Sequence, residues 1–131
     1  MKKLTLLIAM LMATSAWAEW TYSNTSLAED KYYIDFERLK YHKDLVYVWT
    51  MQDFLEPIRN GSFSVVEYQE VDCLTPITKW NVLSRITYDT QMGKGTPTAT
   101  WTPEPEWQYA RPDSVRESLL FDICQHSANS D

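Results

Sequence analysis

The sequence is short of glycine, cysteine and histidine: 131 residues hold three Gly, two Cys and two His. Positive charge is also scarce, with 12 Lys and Arg against 18 Asp and Glu and a formal net charge of −6. Each shortage excludes something. An acidic chain with few basic clusters is a poor partner for nucleic acid, because neutralising phosphates needs Lys and Arg gathered on one face. No apolar run reaches the ~18 residues that mark a permanent transmembrane helix. Two distant histidines, His42 and His126, fall short of the convergent ligands of a metal site, so no metal and no cofactor is expected. There is no G-x-S-x-G elbow, no H-E-x-x-H and no phosphate-cradling glycine loop, and the carboxylates are scattered. The chain reads as a non-enzyme.

What remains is an apolar, aromatic-rich chain: 44% hydrophobic and 14% aromatic, with six Trp and eight Tyr. That length and composition fit one globular domain. The first eighteen residues stand apart. Lys2 and Lys3 precede an apolar stretch from Leu4 to Ala13, and Ala16-Trp17-Ala18 is a small-x-small site. Residues 1–18 are therefore expected to be a signal peptide cleaved before Glu19, followed by a domain over 19–124 and a disordered polar tail over 125–131. No cysteine lies near the cut, so the exported protein is expected to carry no lipid anchor.

Cys73 and Cys124 are the only cysteines. In an oxidising compartment a single bridge between them is the simplest outcome, closing a loop worth about 4 kcal/mol on the chain-entropy argument. A reactive thiol or metal pair is the rival, without a C-x-x-C spacing to support it.

Most of the remaining chain reads as strands. Trp20–Ser23, Lys31–Phe36, Asp44–Asp53, Ser62–Cys73, Lys79–Thr90 and Thr96–Thr102 are rich in β-formers or alternate in polarity. Asn60-Gly61 offers the paired positive φ angles of a tight hairpin, and Gly93-Lys94-Gly95 is a second turn signal. In the strand from Lys79, strict alternation puts Trp80, Val82, Ile86 and Tyr88 on one side and Lys79, Asn81, Arg85 and Thr87 on the other. Pro103, Pro105 and Pro112 make the next segment irregular or an edge. Ser114-Val115-Arg116-Glu117 is a capping box, and Val115, Leu119, Leu120 and Ile123 form one helical stripe that Cys124 extends. The expected fold is α+β: a single twisted antiparallel sheet of about six strands, with a helix over about 113–124 packed on it and tied by one disulfide.

The order of these pieces resembles the surface-adhesin protein E family of Gram-negative bacteria. The resemblance rests on Trp20, Tyr33-Ile34-Asp35, Val46-Tyr47-Val48-Trp49, Val71-Asp72-Cys73, Leu83-Ser84-Arg85-Ile86-Thr87-Tyr88, Met92-Gly93-Lys94-Gly95, Trp107-Gln108-Tyr109, Pro112-Asp113-Ser114 and a terminal helix reaching Cys124. It implies the same sheet-and-helix fold, and binding to host extracellular-matrix proteins of the vitronectin and laminin sort. The alternative is a periplasmic structural or accessory protein of the cell envelope with no host ligand.

Binding residues are sought among exposed aromatics and the few cations. Trp49 and Trp80 lie on alternating apolar faces and are expected in the core. Trp101 and Trp107 sit among prolines, where they could anchor a protein partner. Lys79, Arg85 and Lys94 fall on or beside one hairpin and could meet an acidic stretch of that partner. Sheet edges offer a route to a homodimer. The protein is expected in the periplasm or at the cell surface, without stable membrane insertion.

Overall fold

The structure, a computed structural model, describes residues 19–74 and 78–129. The proposed signal peptide therefore lies outside the described residues. Among the described residues seven strands form one antiparallel sheet: β1 (Thr21–Thr25), β2 (Lys31–His42), β3 (Leu45–Asp53), β4 (Ser64–Asp72), β5 (Lys79–Tyr88), β6 (Pro97–Trp101) and β7 (Gln108–Tyr109). The first six run in chain order across the sheet, and the two-residue β7 pairs directly with the start of β5, whose far end pairs with β6. The meander follows from short connections between alternating segments, which leave no room for crossovers.

Among the described residues one α-helix, α1 (Val115–Asn129), lies on one face. Its start follows the capping box: the Ser114 hydroxyl accepts from the Glu117 amide at 3.1 Å, and the Glu117 carboxylate reaches back to the Asp113 amide. Leu119, Leu120 and Ile123 are buried against Ile34, Val46, Val48, Val71, Trp80 and Val82 of the sheet. The Ser23 hydroxyl donates to Asp122 at 2.6 Å and ties the helix to β1. The Cys73–Cys124 disulfide joins the end of β4 to the helix.

Three expectations need correction. The helix does not stop at Cys124 with a disordered tail from 125: it runs to Asn129. His126 stacks on Phe36 with ring centroids 4.3 Å apart, and the Ser127 hydroxyl donates to the Ile123 carbonyl. A contact with β2 holds the last turn, and polarity alone did not reveal it. Second, β2 does not end at Phe36. A bulge lets residues 36–39 oppose a single step of β3, and pairing resumes at Lys40. Phe36 and Leu39 then pack against the core. Third, Asn60-Gly61 does not form a turn with two positive φ angles. Gly61 alone has one, φ 81°. Its amide bonds to the Ile58 carbonyl, Ile58 pairs with Ser62, and the Asn60 side chain accepts from the Ser62 amide. That is a turn closed by a glycine bulge, which requires left-handed backbone at the glycine only.

Candidate functional site

The five residues singled out in the sequence do not form one site, and a bulge in β5 is the reason. Gln69 pairs with Val82 but Tyr68 pairs with Ser84, so Leu83 is an extra residue. Side chains alternate across a strand, so one extra residue exchanges the faces. Lys79 and Arg85, expected on one side by even spacing, consequently lie on opposite faces. Arg85 and Thr87 join Trp80 and Val82 on the helix side, where Glu67 and Val65 are their cross-strand partners.

Each cation takes one tryptophan. Arg85 lies over Trp101 at 5.6 Å, and Lys79 lies over Trp107 at 4.9 Å. Lys79 also faces Asp72 at 3.9 Å. Asn81, on the same face, donates to Glu70 and accepts from the Glu106 amide, which fixes the proline-rich segment carrying Trp107. Lys94 belongs to neither pair. Its loop begins with a single 3-10 turn, Gln91–Gly93, that folds onto the face opposite the helix. There a Cβ on Gly93 would stand 3.0 Å from Val66 and 3.6 Å from Met51. The Asp53 carboxylate and the Ser64 hydroxyl accept the amides of Met92 and Gly93 and hold the loop down.

The helix covers only part of its face. Beyond its first turn the sheet becomes polar, and a cleft of about 290 Å³ opens there. Glu67 is the one acid among its lining residues, 6% exposed. Arg85 donates to one Glu67 oxygen through Nε at 2.8 Å and approaches the same oxygen with Nη2 at 2.6 Å. Arg116, from the first turn of α1, stands 3.7 Å from the other oxygen and 3.3 Å from the Gln69 side-chain oxygen. It also lies over the Trp80 ring at 4.7 Å. Burial pulls the Arg116 guanidinium below its ordinary pKa, and the Glu67 charge opposes that shift. Two cations thus share one buried carboxylate. Phe54, Ile58, Val65 and Trp101 supply apolar walls. Thr98 accepts or donates at 2.6 Å to both Ser62 and Thr87, fastening the turn that carries Ile58.

The opposite face carries a row of aromatics that includes Trp49, which alternation assigned to the core. Trp80 is buried under the helix, 7% exposed. Trp49 is only half-buried and points the other way, with Tyr47 and Tyr68. Trp49 and Tyr68 are 4.8 Å apart, and Tyr47 and Tyr68 are 6.1 Å apart. Arg38 lies over Trp49 at 5.2 Å and pairs with the buried Asp35 at 2.5 Å. Tyr22 meets Tyr33 edge-on at the β1 end of the row. The β5–β6 loop shields Met51 and Val66 but the α-helix is on the far side. Sequence reasoning missed Tyr47, Tyr68, Glu67 and Arg116. Their spacing was visible, but only the docking of the helix tells which face of the sheet stays open.

Among curated proteins none matches the chain in sequence. Solved structures do. Crystal form II of Haemophilus influenzae protein E superposes with a TM-score of 0.62 at 17% identity, covering 88% of this chain and 94% of that one. Protein E from non-typeable Haemophilus influenzae gives 0.61 at 16% identity over 89% and 82%. A further Haemophilus influenzae protein E structure gives 0.58 at 15% identity over 90% and 92%. These likenesses show the fold, and the family model of surface-adhesin protein E matches residues 20–125. By that match the chain belongs to the surface-adhesin protein E family.

Proposed function

We propose that this protein is an exported, non-enzymatic adhesin-type module that grips another protein with the open aromatic face of its sheet, the partner being a host matrix protein. The observation that carries the reading is the cluster Tyr47, Trp49 and Tyr68 on the face the helix leaves free. Large aromatic side chains with few rotors lose little entropy on binding and dominate the energetics of protein interfaces. Lys79 with Trp107 lies toward the same side, and Arg38 adds a cation over Trp49. Membership of an adhesin family supports the same reading. Residues 1–18 serve as the cleaved export signal of this reading. No helix among the described residues is long and apolar enough to cross a membrane.

Two measurements test this. A membrane-impermeant reagent applied to intact cells should label the protein as strongly as in lysed cells. Protection until lysis would overturn surface adhesion and leave a periplasmic accessory role. Purified protein should bind immobilised vitronectin or laminin, and Trp49→Ala should weaken that binding about tenfold or more with an unchanged fold.

A further inference from the structure

We propose that the cleft between the first turn of α1 and strands β3–β6 takes a carboxylate, carried beside an apolar side chain on the partner protein. This rests on the reading of the chain as a protein-binding module, and it adds a second contact on the opposite side of the sheet from the aromatic cluster.

The charge count carries the argument. Arg85 and Arg116 face a single carboxylate, Glu67. The floor of the cleft therefore holds one positive charge in excess, in a protein of net charge −6. Arg85 spends Nε and Nη2 on one Glu67 oxygen. A guanidinium has five N–H donors, so both arginines retain donors for a second acceptor. Arg116 is held loosely, its two polar contacts being 3.3 and 3.7 Å long. Its ring contact with Trp80 fixes the plane of the group without using those donors. Carboxylates match the guanidinium fork better than any other side-chain group.

The walls decide the rest. Trp101 on one side and Phe54 with Ile58 on the other make the cleft apolar around its charged floor. Such sites combine apolar burial with a few convergent polar groups. About 290 Å³ suits one or two side chains and not an extended groove-binding helix. Trp101 and Ile58 remain exposed in the free protein, at 40% and 37%. Covering them with an apolar neighbour of the acid would release water from both.

The probe is the blocked tetrapeptide acetyl-Ala-Glu-Phe-Ala-amide, with its Gln counterpart as control, titrated into the isotope-labelled full domain. The Trp101 indole N–H and Arg85 Nε–H signals should shift with the Glu peptide, and the Gln peptide should bind about tenfold more weakly or less. Two variants should move affinity in opposite directions. Arg85→Gln should weaken the Glu peptide about tenfold, and Glu67→Gln, which removes the internal competitor, should tighten it. A purely structural role would not give opposite signs. Equal binding of both peptides to the wild type, or shifts confined to Trp49 and Tyr68, would overturn the proposal without needing any variant to fold. Loss of peptide binding with matrix binding intact removes the cleft and spares the adhesin reading. Peptide binding with no matrix binding does the reverse.

Discussion

Gly95 illustrates how little freedom single residues have in the loop that shields part of the open face. Its φ is 82°, and a Cβ there would meet the Asp89 carboxylate oxygen and the Thr90 hydroxyl inside contact distance. The same Asp89 oxygen accepts the Thr96 amide. Gly95→Ala should therefore cost about 1–2 kcal/mol or more, seen as a lowered denaturation midpoint. Asp53 behaves differently. Burial raises its pKa, although the Met92 amide works against the shift. The folded state then holds the proton more tightly than the unfolded one, so ionising Asp53 removes stability as pH rises through the carboxylate range. Asp53→Asn should gain stability relative to wild type over that rise, measured by urea unfolding at a series of pH values. Cys73 and Cys124, 51 residues apart in sequence, should matter most. Reduction or Cys124→Ser should lower stability by about 2–5 kcal/mol, read from thermal unfolding with and without reductant.

At the scale of elements, the bulge in β5 is the decisive feature. It brings Arg85 under Trp101 and onto Glu67 while leaving Lys79 on the other side. Arg85→Ala would remove the close partner and leave Glu67 with the more distant Arg116 alone. An uncompensated buried carboxylate should cost about 3–5 kcal/mol, checked by chemical denaturation. A truncation after Cys124 tests the helix in the same way. It would remove His126 from Phe36 and should cost about 1 kcal/mol, whereas cutting a disordered tail would cost nothing. The strands and the helix start were legible in sequence because alternation, β-branched residues and the Ser114–Glu117 box are local signals. The bulges at Leu83 and at 36–39 were not. A bulge is one extra residue whose sign is the pairing of a neighbouring strand, and no strand reports its partner's register.

Across the whole molecule the coverings are diagonal. The helix roofs Val46, Val48, Val71 and Trp80 at one end of its face, and the β5–β6 loop roofs Met51 and Val66 near the other end of the reverse face. What remains uncovered is an aromatic patch on one side and a charged cleft on the other. The two should be energetically separate, since they share no side chain. Combining Trp49→Ala with Arg85→Gln should give additive losses of partner binding, within about 0.5 kcal/mol, in a double-mutant cycle.

The sequence by itself determined the antiparallel sheet, the C-terminal helix, the pairing of two cysteines and the family. All of these follow from local periodicity, from turn chemistry and from an even cysteine count in an ordered set of motifs. Tertiary structure alone decided which side chains meet. Trp49 and Trp80 have the same alternating surroundings in the chain, yet one is roofed by α1 and the other faces outward. Lys79 and Arg85 have even spacing, yet one extra residue parts them. Face and partner are properties of packing between elements distant in sequence, and they are fixed only when the helix docks and the strands take their register.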